Sequence, residues 1–480
     1  QGSAGSGKTT VALHRLAWLL HEKNSNVKAE KTRVIVMNKS LAVYVSATLP
    51  SMGIDGVQTT TFNSFALSII RKSVRGQLFF KFLNIPSFIE EIKFSEEILR
   101  ALSAWVEKQT ITVNEEIKKQ FATRPPYQEN WTKSKDKPIL PRLRDFSYEI
   151  KTSKIPDAEK KQKLGFIKKQ ISNLEDYLQD LYDLLSDTDH LKKYLPSDSK
   201  LASNLDYLKR LTEKNRLKKN LDYFDMSLIL RLIQIKNGGL PDGHGGTVLL
   251  DHIVIDEAQD FGPVEFAIMM DSVSNKRQVT IVGDIAQKIL FARKFIGWEK
   301  VVEYLGLDDD AIIQLEVSFR CTVPIMTLAH KVAGDPKKVE GRTGPDPIWH
   351  QSENYIDLIE TLVDWSRGLL RVDPNKLIAL ICRYPKQAME IKEEMEAYLP
   401  GEVRLGHRDQ FSFEPGVLVT NIHQVKGLEF DSVALVEPDE ENYPKKREES
   451  RNMIYVGITR TQDDLLLATI RPYSAVLMGH

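Results

Sequence analysis

Residues 1–10 read QGSAGSGKTT, and within them Gly2-x-x-x-x-Gly7-Lys8-Thr9 completes a phosphate-binding loop of the G-x-x-x-x-G-K-[ST] type. Glycines at 2, 5 and 7 let consecutive backbone N–H groups turn inward around phosphate oxygens, and Lys8 adds a point charge on the outer phosphates. Thr9 offers a hydroxyl to Mg²⁺. The pattern from Thr10 to Leu20 predicts an amphipathic helix whose positive end aims at the same anion. A chance glycine turn has no reason to end in Lys-Thr, so the stretch implies a bound nucleoside triphosphate. Such a loop is ordinarily fed by a buried strand, and with Gln1 as its first residue the chain is expected to be a fragment.

Outward from the loop, helix and strand alternate. Arg33–Met37 (RVIVM) predicts a buried strand, Leu41–Leu49 a helix stopped by Pro50, and Val57–Phe62 (VQTTTF) another strand. The rhythm lapses near residue 81 and resumes near 222. Residues 248–255 (VLLDHIVI) run into Asp256-Glu257-Ala258-Gln259-Asp260, and 278–282 (QVTIV) into Gly283-Asp284. A second unit begins near 312, with strands expected around 377–381, 417–420, 432–436 and 464–470. The expectation is an α/β protein with two P-loop NTPase-type domains on parallel sheets. The first comprises 1–80 and 221–311, with a helical insertion at 81–220. The second comprises 312–480.

The insertion carries a net charge of about +6, against zero for the whole chain. A basic patch of that kind suits nucleic acid even where the overall balance gives no polyanion-binding signature. Within it, Leu164, Ile167, Ile171, Leu174, Leu178, Leu181 and Leu185 repeat at 3-4 spacing. That seam predicts an antiparallel helical hairpin or short coiled-coil arm, or equally an ordinary bundle helix with a core stripe. Only Cys321 and Cys382 are present, which excludes a disulfide framework and fits a reducing, cytoplasmic setting. No apolar run approaches the length of a membrane span, so a membrane is not an expected partner.

A carboxylate pair at the end of a hydrophobic strand is what Mg²⁺-dependent triphosphate hydrolysis requires. Asp256 would hold the metal, mostly through water, and Glu257 would polarise the attacking water. Gly283-Asp284-x-x-Gln287 closes the next strand in the same way, and an amide there can sense the outer phosphate. Arg320 and Arg460 are the candidate cations against developing charge, a role that contributes roughly 10³- to 10⁵-fold in rate.

The ordered set GSAGSGKTT, TTFNSFA, VIDEAQD, VGDIAQ, LEVSFR, HQVKGLEFD and RNMIYVGITR resembles the UvrD/Rep-type superfamily 1 helicases over nearly the full chain. The resemblance implies RecA-like domains with ATP and Mg²⁺ in the cleft between them, and 3′ to 5′ translocation on single-stranded or partly duplex DNA. By motif position it implies that Gly2, Gly5, Gly7, Lys8, Thr9 and Thr10 cradle phosphates, and that Thr9 and Asp256 bind metal. Glu257 is then the base and Gln287 the γ-phosphate sensor. Phe319 is the adenine-stacking aromatic, Gly427 and Glu429 lie at the ribose, and Arg320 and Arg460 are the finger arginines. Asn38, Lys39, Phe62, Asn63 and His423 fall at nucleic-acid positions.

Some positions depart from the family pattern. Ile35-Val36-Met37-Asn38-Lys39 stands where Thr-Phe-Thr-Asn-Lys is usual, removing an aromatic that would stack a base. Asn63 replaces a histidine and Lys288 a serine. Stacking supplies roughly 1–3 kcal/mol per base, so the expected grip on single strands is weaker unless Phe291, Phe295 or Trp298 substitutes. About 100 residues separate Arg320 from His423, and about 190 separate the TTF motif from VIDEAQD. That distribution looks most like the HelD, helicase IV-like branch. It adds a second expectation, an ATPase that remodels or recycles RNA polymerase with little unwinding of its own.

Overall fold

The computed structural model describes residues 1–2, 5–74, 76, 78–81, 83, 85–195, 202–275, 278–284, 297–306, 311–315, 320–334, 338–407 and 411–478. Two sheets organise it. The first contains β1 (Thr32–Val36), β2 (Gln58–Thr61), β3 (His252–Ile255) and β4 (Val279–Ile281), in the order β2-β1-β3-β4. The second contains β5 (Ile348–Gln351), β6 (Leu377–Cys382), β7 (Val403–Leu405), β8 (Gly416–Asn421), β9 (Phe430–Val436) and β10 (Thr461–Thr469), in the order β7-β8-β6-β9-β10-β5. Every pairing in both sheets is parallel.

Parallel strands covered on both faces read as continuous apolar runs. The buried residues of β3 and β6 follow that rule, HIVI and LIALIC without an exposed position. The α/β architecture with two parallel sheets is therefore the one read from the sequence. The interior strands match that reading within a few residues. The two strands missing from it, β5 and β7, are the edges of the second sheet. They are short, and the four residues of β5 (IWHQ) include exposed Ile348 and Trp349, so no alternation marks them.

The described residues between 87 and 218 are almost entirely helical. Their buried Leu102, Leu143, Ile167 and Leu208 join Ile35 and Ile255 of the first sheet, and Phe62 of the helix that follows β2, in one apolar core. The helix Asp225–Asn237 runs through that core with nearly every residue buried.

The heptad-spaced run is not a continuous arm. The helix Asp157–Leu174 ends there, and Tyr177–Ser186 begins a new one, capped by Asp176 accepting from Gln179 N at 3.0 Å. Ile167, Leu174, Leu181 and Leu185 are core on both sides of the break. A 3-4 stripe survives the break because each helix turns the same face inward.

A second core spans the two sheets. Leu41 and Val45, on the helix Lys39–Thr48, pack with Val425, Leu428 and Met453. Among the described residues, no helix is long and apolar enough to cross a membrane.

Candidate active site between the two sheets

The first sheet presents its carboxyl ends to one side, where ligands bind in open α/β folds. Gln1 and Gly2 extend beside β4: Gly2 bridges Leu315 in parallel, and Gly2 N donates to Gly283 O at 3.4 Å. The loop then turns into the helix Lys8–Leu20. Gly7 makes the turn at φ 79°, a left-handed conformation that glycine adopts without the Cβ clash. Gly5 has φ 73°. Lys8 Nζ spans the loop to donate to Gly2 O at 2.9 Å and lies 4.0 Å from Asp284 Oδ2. Burial holds its pKa below the ordinary lysine value, against the pull of Asp284, Glu257 and Asp256. Thr10 is exposed on the outer side of the helix.

Thr9 Oγ1 donates to Asp256 Oδ2 at 2.8 Å, across 247 residues of sequence. Burial, and then the Glu257 charge, push the Asp256 carboxyl up to about 6. A hydroxyl oxygen in contact with a carboxylate that is costly to ionise fits a hard cation such as Mg²⁺. That ion takes oxygen ligands and keeps several waters. Among the described residues, no cluster of three or more His, Cys, Asp or Glu side chains gathers as an alternative centre.

Glu257 sits at φ 54°, ψ 42°, a left-handed conformation costly for a non-glycine residue and characteristic of functional turns. Its backbone N–H donates to Asp256 Oδ1 at 2.8 Å, and its Oε2 accepts from Gln259 Nε2 at 2.6 Å. Gln259 Oε1 in turn accepts from Asp284 N at 2.9 Å, tying the β3 and β4 ends together. Burial works to raise the Glu257 carboxyl, but Lys426, Lys8 and Arg460 overcome it, and the group sits below the ordinary range.

Lys426 comes from the second sheet, on the loop between β8 and β9. It is 0% exposed, pairs with Asp260, and stands 3.8 Å from Glu257 Oε2. The HQVKGLEFD motif marks this loop in the sequence but by itself assigns Lys426 no role. Its only local signal is the apolar Val425 before it and Leu428 two residues after it. The same loop touches the first sheet elsewhere. Asn38 Nδ2 donates to His423 O at 3.4 Å and Lys426 O at 3.3 Å, and Ser40 Oγ donates to Gln424 Oε1 at 2.8 Å. Gly427, at φ 81°, leaves no room for a side chain, since a Cβ there would meet Leu41 Cδ2 at 2.6 Å.

The amino ends of β9 and β10, with Arg320 from just ahead of the helix Val323–Ala333, supply the remaining groups. Arg320 pairs with Glu429 and donates through Nη1 to Thr459 O at 3.3 Å. Arg460 is buried and donates to Val456 O at 3.1 Å and Leu428 O at 3.2 Å. Burial, and then Arg320, lower its pKa to about 10. Gln287 and Phe319 lie outside the described residues, as do Lys288, Phe291 and Phe295.

At the expected nucleic-acid positions, Lys39 is exposed, Asn63 is half-buried and His423 is exposed beside Arg383. Phe62 requires correction. Its ring is 3% exposed and packs against Phe261 at 6.3 Å, so it serves the first core and presents no face to a base. Trp298 is likewise buried in that core.

The chain matches the model of the UvrD/REP helicase N-terminal domain over residues 1–293 and that of the UvrD-like helicase C-terminal domain over residues 375–472. Among solved structures, it is similar to the C-terminal domain of a possible DNA helicase from Lactobacillus plantarum WCFS1. The identity is 24%, covering 34% of this chain and 92% of that one at a TM-score of 0.29, too slight a likeness to argue from. No curated protein matches the chain.

Proposed function

The chain belongs to the UvrD/REP helicase family, a UvrD-type superfamily 1 helicase by its matched domains, and on that premise we propose that it is an ATP-driven motor moving 3′ to 5′ on single-stranded DNA. ATP with Mg²⁺ binds between a first motor domain (1–80 and 221–311) and a second (312–480). Lys8 neutralises the outer phosphates, and Thr9 and Asp256 hold the metal. Glu257 accepts the proton of the attacking water, while Arg320 and Arg460 face the developing charge. Gln287 and Phe319 complete the site as γ-phosphate sensor and adenine stack.

The observation that supports this most directly is the position of Glu257. It is held by Gln259 from its own loop and approached by Lys426 from the opposite sheet. A base aligned from both sides performs best when the cleft is closed, which links hydrolysis to relative movement of the two sheets.

The test is steady-state ATP turnover with and without single-stranded DNA, beside Lys8→Ala, followed by strand displacement on duplexes with 3′ or 5′ tails. The motor reading expects strong stimulation by DNA, displacement from the 3′ tail only, and no turnover in Lys8→Ala. Turnover that needs Lys8 but ignores DNA would overturn it in favour of the HelD-like role on RNA polymerase.

A further inference from the structure

The chain lacks the aromatic that the resemblance places beside Asn38, and Phe62 is buried. The described surface still offers an exposed aromatic just beyond the end of β6. β6 ends at Cys382, and the next residues are Arg383 and Tyr384. Tyr384 is the N-cap of the helix Pro385–Glu396 and is 44% exposed.

Its surroundings hold it in place. The Arg383 guanidinium lies 4.8 Å from the Tyr384 ring centroid and 5.8 Å from that of Tyr443, a wholly buried ring. Arg383 Nη1 is 3.3 Å from His423 Nε2, and the His423 carbonyl accepts from Asn38 at 3.4 Å. A chain of contacts thus runs from Asn38 on the first sheet to Tyr384 on the second. Lys386, the second residue of that helix, is exposed and lies 3.3 Å from Glu390 Oε1. An exposed aromatic backed by a guanidinium and flanked by a further cation is the chemistry that stacks a base and draws its phosphate.

We propose that Tyr384 is a base-stacking platform for single-stranded DNA, supplying from the second sheet the stacking face missing near Asn38. The proposal rests on the motor reading and adds a contact to it. The Arg383 guanidinium occupies one face of the ring, and the base takes the other. Arg383 is the positioning group, held by His423 and Tyr443.

The test is fluorescence anisotropy with a labelled oligo-dT at several salt concentrations, using the whole chain as wild type, Tyr384→Phe and Tyr384→Ala. Melting temperatures measured beside it establish that each variant is folded. Loss of one stacked base predicts affinity lower by roughly 5- to 150-fold in Tyr384→Ala. Tyr384→Phe stays within about twofold of wild type, because the ring and not the hydroxyl makes the contact. The slope of affinity against salt is the same for all three, since no phosphate contact is removed. Equal affinity of Tyr384→Ala and wild type would overturn the platform and leave the motor reading standing. Equal losses in Phe and Ala would replace stacking by a hydroxyl contact and also overturn it. Failure of the wild type to bind the oligonucleotide would remove both.

Discussion

Lys426 Nζ lies 3.8 Å from Glu257 Oε2 and pairs at the same time with Asp260, so one buried cation from the second sheet serves two carboxylates of the first. Removing one member of such a group leaves the others charged and dry, at a cost of about 3–5 kcal/mol. Lys426→Met is expected to lower the melting temperature and to slow ATP turnover. The double variant Lys426→Met/Asp260→Asn should recover much of the stability, because one orphaned charge is gone. It should not recover turnover, because Glu257 still lacks its partner. Recovery of both together would reduce Lys426 to a purely structural role.

Glu257→Gln keeps the side-chain volume and an oxygen for the Gln259 amide, but gives up the charge and the basicity. Nucleotide binding, followed with a fluorescent ATP analogue, is expected to persist. Single-turnover hydrolysis is expected to fall by roughly 10²- to 10⁴-fold, the usual range for a general base. Hydrolysis at the wild-type rate would move the base to another group.

The carboxyl of Asp256 gives the apo-protein a pH signature. Folding lifts it from 3.8 to about 6, by burial first and the Glu257 charge second. A group raised in this way favours the folded state when protonated. Its contribution is complete below about pH 4 and is lost as pH rises through about 6. Asp256→Asn stays neutral throughout, so without nucleotide it should be more stable than wild type by about 2–3 kcal/mol near pH 7.5. The gap should close towards about pH 4. A stability difference independent of pH would show that ionisation of Asp256 is not its cause.

The phosphate loop and the DEAQD turn are legible in sequence because each is contiguous and each follows or precedes an apolar run that fixes its place at a sheet edge. Thr9 and Asp256 meet because parallel strands put such turns side by side. The role of Lys426 is not legible, since its partner Asp260 is 166 residues away and the pair forms only when the sheets pack. Phe62 misleads for a related reason. A motif position gives the residue type but not the direction of the ring, and Phe261 claims that ring for the core. The heptad run leaves arm, hairpin and bundle helix open because period alone cannot distinguish one long helix from two consecutive ones. The local signal was Glu175-Asp176, where Asp176 caps the second helix.

Asn38 performs two tasks that substitutions can separate. Its Oδ1 accepts from Leu41 N at 2.8 Å and caps the helix Lys39–Thr48, while its Nδ2 donates to the His423 and Lys426 carbonyls across the cleft. Asn38→Ala loses the cap and the bridges, and the cap alone is worth about 1 kcal/mol. Asn38→Asp retains the cap but turns an acceptor towards two carbonyls, so only the bridges are lost. Melting temperatures should therefore fall in the order wild type, Asn38→Asp, Asn38→Ala. If the bridges carry the response to DNA, its stimulation of ATP turnover should drop to a similar extent in both variants, because the bridged loop also carries Lys426 to Glu257. Full stimulation in Asn38→Asp would assign the inter-sheet response to other contacts, with Ser40 and Gln424 the next pair to change.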